Sequence, residues 1–269
     1  MPELPEVETV RQMLLKTLPK TEIKDVVVLY PKIIQNLKKE DFINELRGAK
    51  IIDIKRQGKY LIFEFDKIYL ISHLRMEGKY FFNQNYQAKK HDHLLFIWEE
   101  GTLVYNDTRK FGTMHLFSKD LDIKKIPPLN KLALDANDSR VTQAYLEQKL
   151  AKKNIYLKTS LLDQSIISGL GNIYVDEVLF RAKISPLRKA NTLSSEEISQ
   201  IIEEAKKTLN EAIALGGTTI RTFTSGTIHG RFQNELKIHH QQVCPSCENK
   251  VKKIFVGGRG TYYCNNCQK

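Results

Sequence analysis

The sequence predicts an α+β protein with a β-rich first part, a helical second part and a cysteine-bearing tail. Between Ile23 and Phe117, short runs of β-branched and aromatic residues alternate with polar turns, which predicts a sandwich or barrel. These runs cover residues 26–30, 51–54, 60–65, 69–73, 94–98 and 103–105. Apolar residues then recur at helical spacing over residues 142–152, 173–182 and 194–215. Residues 121–137 show no sustained period and form the candidate linker.

Two helix starts carry recognisable signals. Val7, Val10, Leu14 and Leu18 share one helical face behind an acidic first turn, where the helix dipole favours carboxylates. The last predicted helix opens with Ser194-Ser195-Glu196-Glu197, which is typical of an N-cap followed by an acidic first turn.

Composition restricts the class of protein. The 269 residues include 42 Lys and Arg against 31 Asp and Glu, a formal net charge of +11, which favours a polyanionic partner such as nucleic acid. No apolar run approaches the roughly 18 residues that span a bilayer, and no basic, apolar leader opens the chain. We therefore expect a protein that is neither membrane-bound nor secreted.

The four cysteines form the strongest local pattern. Cys244-x2-Cys247 and Cys264-x2-Cys267 have the spacing of a four-thiolate zinc ribbon. Four thiolates fill a tetrahedron and leave no position for water, so we expect one structural Zn²⁺. His239 and His240 lie nearby but are not needed as ligands. The alternative is four free thiols or a redox pair.

Two glycine-bearing turns are candidate phosphate sites. Gly257 and Gly258 precede Arg259 between two predicted strands, so a guanidinium at a hairpin tip could bind phosphate oxygens. Gly169 and Gly171 precede a predicted helix whose first backbone N–H groups could meet an anion, with Asn172 as cap or phosphate contact. Taken alone, a solvated arginine and an ordinary capped helix explain both turns.

Several motifs in a fixed order carry a resemblance to a known family. They are Pro2-Glu3-Leu4-Pro5-Glu6, Gly58-Lys59-Tyr60, His73-Leu-Arg-Met76, Lys90-His-Asp-His93, Asp107-Thr-Arg109-Lys-Phe111-Gly, Gly169-Leu-Gly-Asn172, Phe232-Gln-Asn-Glu-Leu236 and the cysteine pairs. The whole chain resembles the formamidopyrimidine-DNA glycosylase family, also called Fpg or MutM. The resemblance implies an N-terminal β-sandwich with flanking helices (residues 1–130), a linker with the start of the helical region (131–150), a helix–two-turns–helix module (151–236) and a four-cysteine zinc-ribbon finger (237–269).

The resemblance also implies a bifunctional DNA glycosylase and AP lyase of base excision repair. Such an enzyme excises 8-oxoguanine and formamidopyrimidines through a Schiff base on Pro2, after Met1 is removed, and then cuts the strand by β,δ-elimination. Glu3 would be the general acid/base at the deoxyribose ring oxygen. Lys59 and Arg259 would assist catalysis while holding phosphates, and Glu6 would organise the lesion pocket. On its own, Pro2 reads as a first-turn helix residue.

The same resemblance implies the contacts with DNA. A target base must be flipped out of the duplex, and the gap left behind must be filled. Met76, Arg109 and Phe111 match the residues that fill it, although singly Met76 and Phe111 would read as core. His73, His93, Lys158 and Asn172 would bind the backbone. Residues 222–231 resemble the loop that closes over the lesion. The expected partner is duplex DNA with an oxidised purine opposite cytosine, bound by a monomer in the bacterial cytoplasm at the nucleoid.

Three departures from the family pattern concern geometry. Residues 131–138 replace a usual Gly-Pro-Glu-Pro stretch, His239-His240 replaces a Tyr-Gly pair before the finger, and Thr159 stands where proline is common. None of them removes a proposed catalytic group.

Two other functions compete with this interpretation. One is the sister glycosylase endonuclease VIII, which removes oxidised pyrimidines. The other is a non-catalytic zinc-ribbon nucleic-acid binder, for which charge and cysteines would suffice. A zinc hydrolase is disfavoured because four thiolates leave no open coordination position.

Overall fold

The structure is a computed structural model that describes residues 1–218 and 230–269. The chain divides into two compact units. Of the described residues, the first contains 1–2, 6–130 and 230, and the second contains 3–5, 131–218 and 231–269. The predicted lesion loop at 222–231 therefore lies outside the described residues except for its last two positions.

The first unit is built on two four-stranded antiparallel sheets. One sheet has the order β1-β6-β7-β5 and the other β2-β3-β4-β8. The strands are β1 Asp25–Val28, β2 Ile51–Gln57, β3 Tyr60–Phe65, β4 Ile68–His73, β5 Lys79–Asn83, β6 Asp92–Ile97, β7 Thr102–Asn106 and β8 Thr113–Ser118. Alternate side chains face inward, as Met114 and Leu116 do on β8. The predicted sandwich is confirmed.

Two helices and one core complete this unit. Helix α1 spans Leu4–Thr17 and helix α2 spans Lys39–Leu46. Val7, Val10 and Leu14 of α1 and Phe42 of α2 are buried in the same apolar cluster as residues from both sheets. The helical face predicted at the N terminus is thus the face that the core covers.

The second unit is helical. It contains α3 Gln143–Leu150, α4 Leu157–Leu162, α5 Asn172–Arg181 and α6 Ser195–Ala214. Their apolar faces enclose a core that includes Leu146, Leu161, Val178 and Leu209, together with Leu4 at the start of the chain. Ser194 caps α6 by accepting the N–H of Glu197, whose side chain accepts the N–H of Ser194, so the predicted N-cap is a full capping box.

The tail of this unit is a two-stranded hairpin, formed by β9 Lys252–Val256 and β10 Arg259–Tyr263. Gly257 and Gly258 connect the strands with φ angles of 55° and 74°. Positive φ at both positions is the geometry of a type I′ turn, which glycine adopts without strain. The predicted glycine turn therefore closes the hairpin directly before Arg259.

Among the α-helices and β-strands of the described residues, four had no counterpart in the sequence prediction: α2, α4, β5 and β8. Helices α2 and α4 have eight and six residues, too few for a helical period to stand out from a β-rich or polar background. Within residues 1–218 and 230–269, none of the helices combines the length and apolar character that crossing a bilayer requires.

Replacing Ser194 by Ala should lower the free energy of unfolding by about 1 kcal/mol, because the N–H of Glu197 loses its acceptor. Denaturant unfolding of the variant measures this loss. Ser194→Asp retains an acceptor and should stay within a few tenths of a kcal/mol of the parent. An equal loss in both variants would show that the cap does not stabilise α6.

Candidate functional site

One end of the sheet β2-β3-β4-β8 collects most of the predicted DNA contacts in the first unit. His73, the last residue of β4, pairs with Tyr60 at the start of β3 and with Thr113 at the start of β8. The turn carrying Lys59, the loop carrying Met76 and the loop carrying Arg109 and Phe111 therefore leave the sheet at the same end. Strand register brings these residues together from distant parts of the sequence.

Three side chains project from this end of the sheet. Met76 is 36% exposed and Phe111 is 52% exposed, which is unusual for large apolar residues. The guanidinium of Arg109 lies 4.7 Å from the centre of the Phe111 ring, a cation–π arrangement. The core interpretation of Met76 and Phe111 is therefore wrong for this fold, and both side chains can meet a partner.

Asp107 organises the loop that carries Arg109 and Phe111. It is fully buried, and its carboxylate accepts the backbone N–H groups of Arg109, Phe111 and Gly112, each at 2.9 Å. Lys110 between them has a φ of 59°, so the loop adopts a conformation that needs such support. Asp107 had no predicted role, although an acid two residues before Arg109 is the signal of this Asx-type turn.

His73 is a neutral imidazole in a defined tautomer. Its Nδ1 accepts the backbone N–H of Arg75 at 2.9 Å, so the proton of the neutral ring sits on Nε2 and can be donated. Burial, followed by the charges of Arg75 and Lys59, lowers the pKa of His73 from 6.5 to about 3. His73 thus suits a hydrogen bond to a phosphate oxygen without adding a charge.

His93, Glu6 and Pro2 are placed inside the first unit. The Nε2 of His93 is 2.7 Å from the backbone carbonyl of Asp107, which can only accept, and the residue is 3% exposed. The structure therefore favours a supporting role for His93 over the predicted direct contact with DNA.

Glu6 is 3% exposed in the first turn of α1, and Pro2 is buried with its nitrogen in the peptide bond to Met1.

In the second unit, Glu3 occupies the N-terminus of helix α5. Its carboxylate accepts the backbone N–H groups of Gly171 at 2.6 Å, Ile173 at 3.0 Å and Tyr174 at 3.4 Å. The sequence indicated that these groups could meet an anion, with an ordinary capped helix as the alternative. In the structure the anion at this helix N-terminus is the protein's own Glu3, so these N–H groups belong to a capped helix, the alternative that the sequence left open.

The glycine at 171 is required by this contact. A Cβ built on Gly171 would lie 2.3 Å from Cδ of Glu3, far inside van der Waals contact. The backbone conformation itself is ordinary, with φ of −130°, so the constraint is the close approach of the carboxylate.

Asn172, Lys158 and Arg259 meet at the finger hairpin. The amide nitrogen of Asn172 and the amino group of Lys158 both donate to the carbonyl of Gly260, at 2.9 and 3.1 Å. Arg259 is exposed at the hairpin tip. Lys158 has no exposed surface, so the structure favours a positioning role over the predicted direct contact with DNA.

The four cysteine side chains converge as predicted. All four Sγ atoms lie within 4.8 Å of one another, with Cys244 and Cys267 at 3.8 Å and Cys247 and Cys264 at 3.5 Å. A tetrahedron with Zn–S bonds of about 2.3 Å has S–S edges of about 3.8 Å. The cluster therefore fits one structural zinc ion, and an ion bound there would fix both ends of the hairpin.

His239 and His240 do not belong to this cluster. Nδ1 of His239 lies 2.8 Å from Asp176, and Nδ1 of His240 lies 2.9 Å from the hydroxyl of Tyr262.

Three features together are typical of a nucleic-acid-binding protein with a zinc finger. They are the exposed basic and aromatic sheet end, the arginine at a hairpin tip and the thiolate metal site.

Comparison with known proteins identifies the family. Residues 1–114 match the model of the formamidopyrimidine-DNA glycosylase N-terminal domain, residues 132–224 match the H2TH domain of the same enzyme, and residues 241–269 match the zinc finger found in FPG and IleRS. Together these models cover most of the chain.

Curated relatives and solved structures agree with the domain models. Formamidopyrimidine-DNA glycosylases from Exiguobacterium sibiricum and Shouchella clausii are 46% and 47% identical over 274 residues, covering 100% of this chain and 99% of each relative. The Lactococcus lactis Fpg in complex with DNA containing an abasic site has a TM-score of 0.93 at 40% identity, with both chains fully covered. MutM bound to DNA with carbocyclic 8-oxo-G has a TM-score of 0.91 at 41% identity, also over both full chains. The chain belongs to the formamidopyrimidine-DNA glycosylase family.

The buried, neutral state of His73 has a measurable pH dependence. The imidazole protonates below pH 6.5 in the unfolded chain but only near pH 3 in the folded protein. The free energy of unfolding should therefore fall as the pH drops from 6.5 towards 3, by up to about 1.4 kcal/mol per pH unit. His73→Asn keeps an acceptor for the Arg75 N–H but cannot titrate, so denaturant unfolding between pH 7.5 and 4 should show a shallower loss. Identical pH profiles for the two proteins would contradict the assignment.

Proposed function

We propose that this protein is a bifunctional DNA glycosylase and AP lyase of base excision repair. It excises 8-oxoguanine and formamidopyrimidines opposite cytosine in duplex DNA, acts as a monomer, and works in the bacterial cytoplasm at the nucleoid. The observation that carries the proposal is the Glu3 carboxylate, which directly follows Pro2 and is held by the N–H groups at the start of α5. Family membership and relatives solved with damaged DNA support it.

The nucleophile in this proposal is the amine of Pro2. Removal of Met1 turns its nitrogen into a free secondary amine, and free α-amino groups have a pKa of about 7.7–8.0, so a useful neutral fraction exists at neutral pH. The lone pair forms a bond to C1′ of the deoxyribose while the bond to the base breaks and the base leaves with the electron pair, taking a proton from water. The N–H proton that Pro2 releases passes to the Glu3 carboxylate, which transfers it to the ring oxygen as the C1′–O bond breaks and the sugar opens to the iminium.

The same iminium explains the lyase step. It withdraws electrons from C1′, so a proton is lost from C2′ and the 3′ phosphate leaves with the electron pair of its C–O bond. A second elimination releases the 5′ phosphate, and hydrolysis of the iminium frees Pro2.

Residues of the first unit would hold the distorted duplex. Met76 and Phe111 are exposed apolar groups that can fill the space of a flipped nucleotide, and Arg109 can hydrogen-bond the orphaned cytosine. The Nε2–H group of His73 would donate a hydrogen bond to a phosphate oxygen, and Lys59 at the adjacent turn would add positive charge. Glu6 would help to organise the lesion pocket, as the family resemblance implies.

Residues of the second unit would bind phosphates. One hydrogen of the Asn172 amide is bonded to Gly260, and an amide carries a second hydrogen that we assign to a phosphate. Arg259 offers a forked pair of donors at the hairpin tip. These contacts position the strand and carry no sequence information.

The proposal predicts a covalent adduct on Pro2. The protein, with Met1 confirmed absent by mass, is incubated with an 8-oxoguanine:cytosine duplex and borohydride, and the crosslink is located by peptide mapping. An adduct at Pro2 that is absent with undamaged duplex is the expected result, because borohydride reduces the iminium to a stable amine. DNA binding without base release or adduct would place the chain among non-catalytic zinc-ribbon binders. Preferential release of thymine glycol would favour the endonuclease VIII alternative.

Replacing Gly171 by Ala should displace Glu3 and reduce base excision by about 100-fold, the range expected for loss of a general acid/base. Binding of uncleavable tetrahydrofuran DNA should change by less than about threefold, since the group is needed for chemistry. The double variant Glu3→Gln/Gly171→Ala should be no slower than Glu3→Gln alone. Undiminished excision by Gly171→Ala, or additive losses in the double variant, would refute the link between the two residues.

A further inference from the structure

A series of buried polar groups joins helix α5 to the finger hairpin. Asp176 on α5 is 1% exposed, and its carboxylate accepts hydrogen bonds from Nζ of Lys158 at 2.7 Å and from Nδ1 of His239 at 2.8 Å. A carboxylate only accepts, so His239 carries a proton on Nδ1 in this contact. The same carboxylate accepts the backbone N–H of Tyr262 at 3.2 Å.

These contacts end on the backbone of strand β10 next to Arg259. Lys158 and Asn172 both donate to the carbonyl of Gly260, the residue after Arg259. Asp176 binds the N–H of Tyr262, three residues after Arg259. The strand that begins with Arg259 is therefore held at two of its peptide groups, while the arginine side chain remains exposed.

The charges in this series are costly to bury. Lys158 has no exposed surface, and burial lowers its pKa against the opposing effects of Asp176 and Glu3, while Arg259 lowers it further. Replacing a buried ion pair with apolar residues is often neutral or stabilising, whereas removing one partner is strongly destabilising. Such pairs are better explained by the geometry they impose.

His239 is the member of the series that lies on the segment leading into the finger. His240, which follows it, adopts a left-handed backbone with φ of 63°. The rings of His239 and Tyr262 lie 5.0 Å apart at 68°, so the imidazole is packed against the hairpin as well as bonded to Asp176. His239 therefore contacts both the hairpin and the carboxylate that holds it.

We propose that Lys158, Asp176 and His239 form a positioning network that fixes strand β10 so that Arg259 and Asn172 bind DNA phosphates together. The network rests on the proposed function and adds three positioning residues to it. None of the three contacts DNA. They act through the carbonyl of Gly260 and the N–H of Tyr262.

A matched pair of variants tests the role of His239. His239→Leu removes the donor to Asp176, whereas His239→Asn has the same branching as Leu and places an amide N–H near the position of Nδ1. Affinity for a duplex with a tetrahydrofuran site is the readout. We expect Leu to weaken binding by about fivefold to tenfold and Asn to restore it to within about twofold. Glu211→Gln, which removes the partner of Arg181 elsewhere in the unit, is the control for loss of an ion pair.

A double-mutant cycle separates positioning from general stability. If His239 acts through Arg259, His239→Leu should weaken binding by less than about twofold in an Arg259→Ala background. Zinc content and thermal unfolding are measured on each variant, because a finger that had lost its metal would also show this non-additivity. We expect His239→Leu to retain zinc, its loss of DNA affinity to be non-additive with that of Arg259→Ala, and His239→Asn to restore the affinity.

Other outcomes overturn the proposal. Additive losses in the Arg259→Ala background, equal weakening by Leu and Asn, or loss of zinc from His239→Leu would each show that the network supports the fold without positioning Arg259. Failure of the unmodified protein to bind the tetrahydrofuran duplex would refute the proposed function itself, which distinguishes the two failures.

Discussion

The placement of the proposed catalytic carboxylate depends on one interaction, the capping of helix α5 by Glu3. The residue is 2% exposed, and an isolated buried carboxylate costs several kcal/mol. Its two oxygens accept from Gly171, Ile173 and Tyr174, and a hydrogen bond to a charged group contributes about 1.5–3 kcal/mol. These hydrogen bonds offset the free-energy cost of burying the charge and fix the carboxylate of the residue next to Pro2. The helix would otherwise leave these N–H groups unsatisfied.

The same device recurs at three other buried carboxylates. Asp107 binds three N–H groups of the loop that carries Arg109 and Phe111. Glu177 accepts the N–H groups of residues 237, 238 and 239 at 2.9–3.0 Å, where the chain enters the finger. Asp176, its neighbour on α5, holds strand β10. Asp107 and Asp176 shape segments that carry proposed DNA contacts, whereas Glu177 shapes the segment that carries His239.

The sequence predicted the elements whose signals are local. The capping box at Ser194, the glycine turn before Arg259 and the cysteine cluster each follow from residues within a short window. Helix α2 was not predicted, because one pair of apolar residues four positions apart is too weak a sign of a helical period. The bonds from Gly171 to Glu3 and from Tyr262 to Asp176 span most of the chain or join separate elements, so no local pattern reveals them. Lys158 shows the consequence: the family resemblance implied a DNA contact for it, whereas its burial against Asp176 favours a positioning role.

Amide hydrogen exchange tests the role of Glu3 most directly. In Glu3→Leu, the N–H groups of Gly171, Ile173 and Tyr174 lose their acceptor, so their exchange should accelerate while amides in the middle of α6 keep their protection. Unchanged protection at the start of α5 would contradict the claim that Glu3 caps this helix. A uniform loss of protection throughout the second unit would likewise contradict it, since the carboxylate would then support the whole fold and not one helix end.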